Sequence, residues 1–325
     1  MKKITILLTA IFCLFSLSAT AQKAKRVTQV TDEIKAQISA ATPKSLSAKA
    51  TKGKKILIYS NCSSNYVHTL GIQSFEHYIK TLKENIGDAY DFVVSNELSN
   101  FEKDNLAKFD AVVLSNTTGR IFDKPLAEMK KLGAEEKAKV TAKHDELLAN
   151  LMAYVENGGG LFGIHGACDA NKDNDTFADL IGGRFINHPW TCGGQQAVIA
   201  IEDTESPLVK GIWEGSEFIS EDELYQVTTG YDRTKQRVLC AIDFDKSPIK
   251  GDLKNKSKQI HRDDHDFGLV WVKSYGKGRV CYVALGHDHR AFIIPEILEL
   301  YTRGMQFAAD DLKLDTTPIA KPAKK

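Results

Sequence analysis

Apolar positions in the first half of the chain come in short runs separated by stretches of helical spacing. Lys55-Ile56-Leu57-Ile58-Tyr59 is the first compact run and predicts a strand. Leu70, Ile72, Phe75, Ile79 and Leu82 then recur along one helical face. Asp91-Phe92-Val93-Val94 and Ala111-Val112-Val113-Leu114 predict two more strands. Helix character returns over 139–156, where Leu147, Leu148, Leu151, Met152 and Val155 share a face. A short apolar strand from Leu161 follows at once.

This alternation predicts an α/β fold: a mostly parallel, flavodoxin-like sheet with helices on both faces. Sites in such sheets form beyond the carboxyl ends of the strands. The loops carrying His68, residues 116–120 and His165 all fall on that edge. Residues 116–139 make a long polar insertion with Arg120, Phe122 and Pro125, placed to cover a site. The second half adds extra β strands at 197–201, 223–227, 238–242, 268–272 and 279–285, then a closing helix over 295–308. There is no internal repeat.

The stretch Asn157-Gly158-Gly159-Gly160-Leu161-Phe162-Gly163-Ile164-His165-Gly166 has a distinctive layout. A strand stops at a glycine-flanked turn that leads into helix, which is how a nucleophile elbow is built. Histidine occupies the elbow where serine or cysteine would be the nucleophile. Cys168, three positions on, reads as a small packed residue and not as a nucleophile.

The ends set the domain limits. Lys2 and Lys3 precede the apolar run Ile4–Leu17, and Ala19-Thr20-Ala21 offers a cleavage site. Residues 1–21 are therefore expected to be a signal peptide, giving an exported protein, periplasmic or extracellular, with no membrane span after cleavage. Residues 22–53 read as a linker with a frayed helix over 32–41, residues 54–311 as one domain, and 312–325 as a disordered tail. The whole chain has a formal charge of +1, and losing Lys2 and Lys3 with the leader makes it −1. Near-neutrality argues against nucleic acid as the partner. Cys62, Cys168, Cys192, Cys240 and Cys281 remain, widely spaced and without a C-x-x-C pair. One bridge is compatible with an oxidising compartment, but the spacing does not choose its partners.

The candidate chemistry is histidine-rich. His68 follows the first strand, His165 is the elbow, His188 precedes Pro189, and His287 follows the last strand between Gly286 and Asp288. Glu223 stands at the start of a strand with Tyr225 two positions on. His165, His287 and Glu223 are the expected catalytic groups; His68, His188, Arg120 and Tyr225 are expected to contact substrate. Such a set can hold a divalent metal such as zinc, with His68, His165, His188, Glu223 and His287 as candidate ligands. It can equally act by acid/base transfer or simply hydrogen-bond a sugar. The polar run His261 to Asp266 reads as a solvated loop, and His77 and His144 as helix-surface residues. No H-E-x-x-H, P-loop or G-x-G-x-x-G signature is present.

In these residues the chain resembles the ThuA-like family, named for trehalose utilisation. The matching segments are 158–167, Leu180-Ile181-Gly182-Gly183-Arg184-Phe185 with His188-Pro189, Asp222-Glu223-Leu224-Tyr225, and Tyr275-Gly276-Lys277-Gly278-Arg279-Val280 through His287. The resemblance implies a sheet related to class I glutamine amidotransferases, without their catalytic cysteine. It further implies a role in sugar catabolism, often beside oxidoreductases that make keto-sugars. The family pattern carries over to His165, His188, Glu223, His287 and His68. Gly166 stands where the family more often has serine, which argues against a hydroxyl acting there. Two readings of different class follow: a carbohydrate enzyme acting on a disaccharide or keto-glycoside, and a non-catalytic sugar-binding module. A metal-dependent hydrolase of non-sugar substrates is a third.

Overall fold

A computed structural model describes residues 27–192, 195–249 and 259–322. The expected leader at 1–21 lies outside the described residues. Helix α1 (Asp32–Ala41) is followed by β1 (Lys55–Tyr59), α2 (Thr69–Ile86), β2 (Asp91–Val94), α3 (Lys103–Leu106), β3 (Ala111–Ser115) and α4 (Leu126–Met129). Then come α5 (Ala134–Glu156), β4 (Gly160–Ile164), α6 (Asp175–Ile181), β5 (Phe185–Trp190), β6 (Ala197–Ile201) and β7 (Glu217–Ser220). The chain closes with β8 (Leu224–Val227), β9 (Arg237–Ile242), β10 (Gly268–Tyr275), β11 (Gly278–Val283), α7 (His289–Phe292) and α8 (Pro295–Ala308). Among the described residues no helix is long and apolar enough to cross a membrane.

The central sheet runs β2-β1-β3-β4-β11-β10-β9-β6-β7. From β2 to β11 all neighbours are parallel. From β11 outward every pairing is antiparallel. The α/β expectation is met, and the second-half strands extend the parallel sheet instead of forming a separate domain. β1, β3, β4 and β11 are almost wholly buried, which explains their unbroken apolar runs.

Both faces carry helices. In β4, Phe162 faces α8, where Gly304 lets the helix approach its ring, while Gly163 on the opposite face leaves room for Ile181 of α6. Tyr59 shares the α6 face through the register Leu57↔Val112↔Leu161, and its ring meets Phe122, which contacts His144 of α5. On the other side, Phe75 and Tyr78 of α2 pack against Tyr301 of α8.

Several local expectations need correction. The helix expected over 32–41 is present as α1, but it is docked and not frayed: Thr31 caps it by accepting from the Ile34 amide, and Ile34 and Ile38 are buried. Two apolar side chains one turn apart were too sparse to suggest burial, yet they suffice to dock a short helix on α2. In the tail, 312–322 has no helix or strand, but Asp315 pairs with Arg237 and Thr316 hydrogen-bonds Ser274. His144 is fully buried: its Nδ1 accepts from the Phe122 amide at 3.3 Å because the insertion folds down onto α5. α5 starts at Ala134, five residues before the expected start at 139. β5 and β7 were not foreseen. β5 contains Pro189 and pairs with β8 through two register shifts, an irregular edge that tolerates proline.

Candidate functional site: a histidine–glutamate centre

The carboxyl ends of β1, β4 and β11 deliver one histidine each. His68 precedes α2, His165 follows β4, and His287 follows β11 after Gly286. The small β5–β8 sheet stands over that edge and contributes Glu223, Tyr225 and His188. His165 has φ 45°, the left-handed region that few non-glycine residues adopt. Strain of this kind persists where surrounding contacts over-determine it. Here Tyr282 Oη donates to the His165 carbonyl at 2.7 Å, and His165 Nδ1 lies 2.7 Å from the Ala284 carbonyl. A carbonyl only accepts, so Nδ1 carries the proton and Nε2 presents its lone pair to the centre. The next residue must be small: a Cβ on Gly166 would sit 3.1 Å from Asn116 backbone and 3.2 Å from the His68 ring. That close approach accounts for glycine where a hydroxyl was the family expectation.

Four side chains converge. His287 Nδ1 lies 3.2 Å from Glu223 Oε1 and 3.3 Å from His165 Nε2, and His165 Nε2 lies 3.7 Å from Glu223 Oε1. His68 joins them, so that one donor atom from each of His68, His165, Glu223 and His287 falls within 4.8 Å of the others. The three imidazole rings stand edge-on, with centroids 4.8 to 5.2 Å apart. His188 is the rim: 42% of its side chain is exposed, and its Nδ1 is 3.5 Å from Glu223 Oε2.

Tyr225 was expected on the substrate, but it is buried beneath the histidines. Its ring is 4.3 Å from that of His165, and its hydroxyl meets His68 Nε2 at 3.2 Å, so it orients both imidazoles. Arg120 is not brought to the centre. Its guanidinium binds Asp123, Asp145 and Asp173, tying the insertion to α5 and the loop before α6. The run His261 to Asp266 also stays apart, with Asp266 held by Arg233 at 2.7 Å. Among the described residues all five cysteines are free. Cys168 is buried against Tyr282 Oη, and burial pushes its thiol up to about 12, the state of a packed and unreactive residue.

The electrostatics separate the members. Burial, reinforced by the charges of His165 and His287, drives the His68 pKa down to about 2, so His68 stays neutral. Burial opposes ionisation of Glu223, but hydrogen bonds and charge from His165 and His287 outweigh it and hold the carboxyl well below its usual range. Burial also opposes charging of His287, yet the hydrogen bond and charge of Glu223, with Asp222 and Asp288, raise its pKa. One fixed anion, Glu223, therefore shares the centre with the neutral His68 and the readily protonated His287.

Asp222 was missed as a functional residue. Its carboxylate accepts from Gly286 N at 2.5 Å, Glu223 N at 2.8 Å and His287 N at 3.3 Å. It therefore locks the start of β8 to the loop after β11 and sets Glu223 against His287. The only sequence signal was an acid directly before Glu223. On the reading proposed below, that the centre holds a divalent ion, Asp222→Ala is expected to weaken that binding about 10- to 100-fold, with Asp222→Asn intermediate. Titration against a chelating indicator measures this, and unchanged affinity in both variants would overturn the positioning role.

The family described as ThuA, trehalose utilisation, matches residues 55–308. The chain belongs to that family. A putative ThuA-like protein from Bacteroides uniformis has a similar fold: TM-score 0.55, 21% identity, covering 80% of this chain and 93% of that one. A putative ThuA-like protein from Parabacteroides merdae aligns with TM-score 0.49 and 17% identity over 82% of this chain and 93% of its own. No curated protein matches. Within the ThuA family assignment, the centre supplies what the elbow alone lacks, namely partners for its histidine.

Proposed function

We propose that the protein is an exported enzyme of carbohydrate catabolism that processes a disaccharide or keto-glycoside at a divalent metal centre. His68, His165, Glu223 and His287 would hold the ion. The observation that carries this reading is the spacing of the donors. Zinc–nitrogen bonds of 2.0–2.1 Å place neighbouring tetrahedral ligands about 3.3 Å apart. The His287–Glu223, His287–His165 and His165–Glu223 separations are 3.2, 3.3 and 3.7 Å. The hydrogen bonds behind the donors fit as well. His165 Nδ1 is committed to a carbonyl and His68 Nε2 to Tyr225, the kind of outer support that ligating imidazoles usually have. His68 Nδ1 is buried without a hydrogen-bond partner, a cost a ligand could offset. Three imidazoles and one carboxylate suit a borderline ion such as zinc.

When bound, such an ion polarises a carbonyl or activates water. The protein's own groups would orient and shuttle. Holding the ion would require His287 Nδ1 to give up its proton, and His188 is exposed enough at the rim to meet a substrate hydroxyl. The sugar class rests on the family, described as trehalose utilisation. Export rests on Lys2-Lys3, the apolar run Ile4–Leu17 and Ala19-Thr20-Ala21.

The test uses mature protein recovered after export, whose first residue is expected to be Gln22. Metal analysis should find about one divalent ion per chain, and trehalose or 3-keto-glycosides should be turned over. His165→Ala should lose both, with turnover down at least about 100-fold. Equal turnover in the two proteins would overturn the catalytic role of the centre. Sugar binding without turnover in the wild type would favour the sugar-binding module.

A further inference from the structure

A cavity of about 740 Å³ adjoins the centre, with His68 and His287 among its lining residues. Its lining is mixed in character, with Tyr66 and Val67, 54% and 49% exposed, and the polar side chains of Asp288 and Arg290. A cavity within the roughly 300–1,000 Å³ range of small-molecule sites exceeds what one hexose beside the centre would fill.

Tyr66 is held in place although its ring is open to solvent. Ser64 Oγ and Thr118 Oγ1 both donate to its carbonyl, at 2.9 and 2.8 Å, and its amide donates back to Ser64 Oγ at 3.1 Å. Its ring stands edge-on to His68 at 4.8 Å and tilted 34° to His287 at 6.2 Å. A fixed, exposed aromatic next to a polar centre is preorganised to bind at little entropic cost. On the same lining, Arg290 clasps Asp288 through Nε to Oδ1 at 3.0 Å and Nη2 to Oδ2 at 2.6 Å. Asp288 Oδ1 also accepts from the Arg290 amide at 2.9 Å, which anchors the pair at the start of α7. The clasped pair has no net charge but keeps donors and acceptors for hydroxyls.

We propose that Tyr66 and the Asp288–Arg290 pair form a second sugar subsite. It takes the neutral ring of a glycoside that lies beyond the ring at the histidine–glutamate centre. The apolar C–H face of a pyranose stacks on the negative face of Tyr66, and its hydroxyl edge meets the ion pair. A phosphorylated sugar is disfavoured because Asp288 already satisfies Arg290. This inference rests on the carbohydrate reading of the centre and adds the location and chemistry of the second ring.

The test is calorimetric titration of the full mature chain with trehalose, maltose, cellobiose, sucrose, glucose and glucose 6-phosphate. At least one disaccharide should bind about tenfold or more tighter than glucose. Tyr66→Ala should erase that preference, and Tyr66→Trp should restore it. No disaccharide preference in the wild type, or one that survives in Tyr66→Ala, would overturn the subsite. Tightest binding by glucose 6-phosphate would overturn its neutral character. The catalytic reading fails separately: a disaccharide preference that Tyr66→Ala removes, in a protein with no metal and no turnover, leaves the subsite standing.

Discussion

Glu223→Gln is expected to empty the centre of metal while leaving the fold in place. The substitution keeps the shape of the side chain and removes its charge. Glu223 is the only carboxylate among the four converging donors, and its Oε1 faces both His287 and His165. Without it, three imidazoles would hold a dication with no negative charge among the ligands. The loss in affinity should exceed the roughly 10- to 100-fold typical of an outer hydrogen-bond partner, because here a ligand itself is changed. Competition against a chelating indicator gives the number, and wild-type metal content in the Gln variant would remove Glu223 from the ligand set. The unfolding midpoint should move little, since Glu223 is ion-paired near the edge of the site and not packed in the apolar core.

Gly160→Ala should act the other way, on stability and not on the chemistry of the centre. A Cβ at Gly160 would lie 1.8 Å from the Ala308 carbonyl oxygen and 2.5 Å from its carbon. Both are backbone atoms at the end of α8, so no side chain can rotate away. That carbonyl also accepts from Arg279 at 3.2 and 3.3 Å, which pins it further. α8 would have to retreat from the sheet, loosening Leu298, Tyr301 and Met305, all buried. Overpacking of this kind costs about 3 kcal/mol or more, and for a chain of this size about 5–10 °C in melting temperature. Thermal unfolding followed by circular dichroism reads it directly. A melting temperature equal to that of the wild type would contradict the close docking of α8 on β4.

The elbow at His165 shows where pattern reading succeeded and where it stopped. Three glycines, an apolar strand and a second glycine after the histidine announced a sharp turn at a sheet's carboxyl edge, and the structure has one there. The same reasoning placed His68 and His287 on that edge, because each follows a strand. Arg120 belonged to a loop at the same edge, and nothing in its sequence told it apart from a substrate-binding residue. Only the packing of the insertion onto α5 showed that three acids occupy it. Asp222 was overlooked for the opposite reason: its contacts are to backbone amides 64 and 65 residues away, which carry no side-chain signature.

By itself the sequence determined the parallel half of the sheet, most of its strands, the closing helix and the histidines that crown the strands. These depend on local periodicity and on the rule that loops after parallel strands share an edge. Tertiary structure decided the rest. It bent β5 and β8 over the edge so that Glu223 entered the ring of histidines, and it sank Tyr225 beneath them. It also left Tyr66 exposed and drew His144 inside. Each of these outcomes depends on contacts between residues far apart in the chain, and a one-dimensional pattern of polar and apolar positions does not encode which distant partners meet.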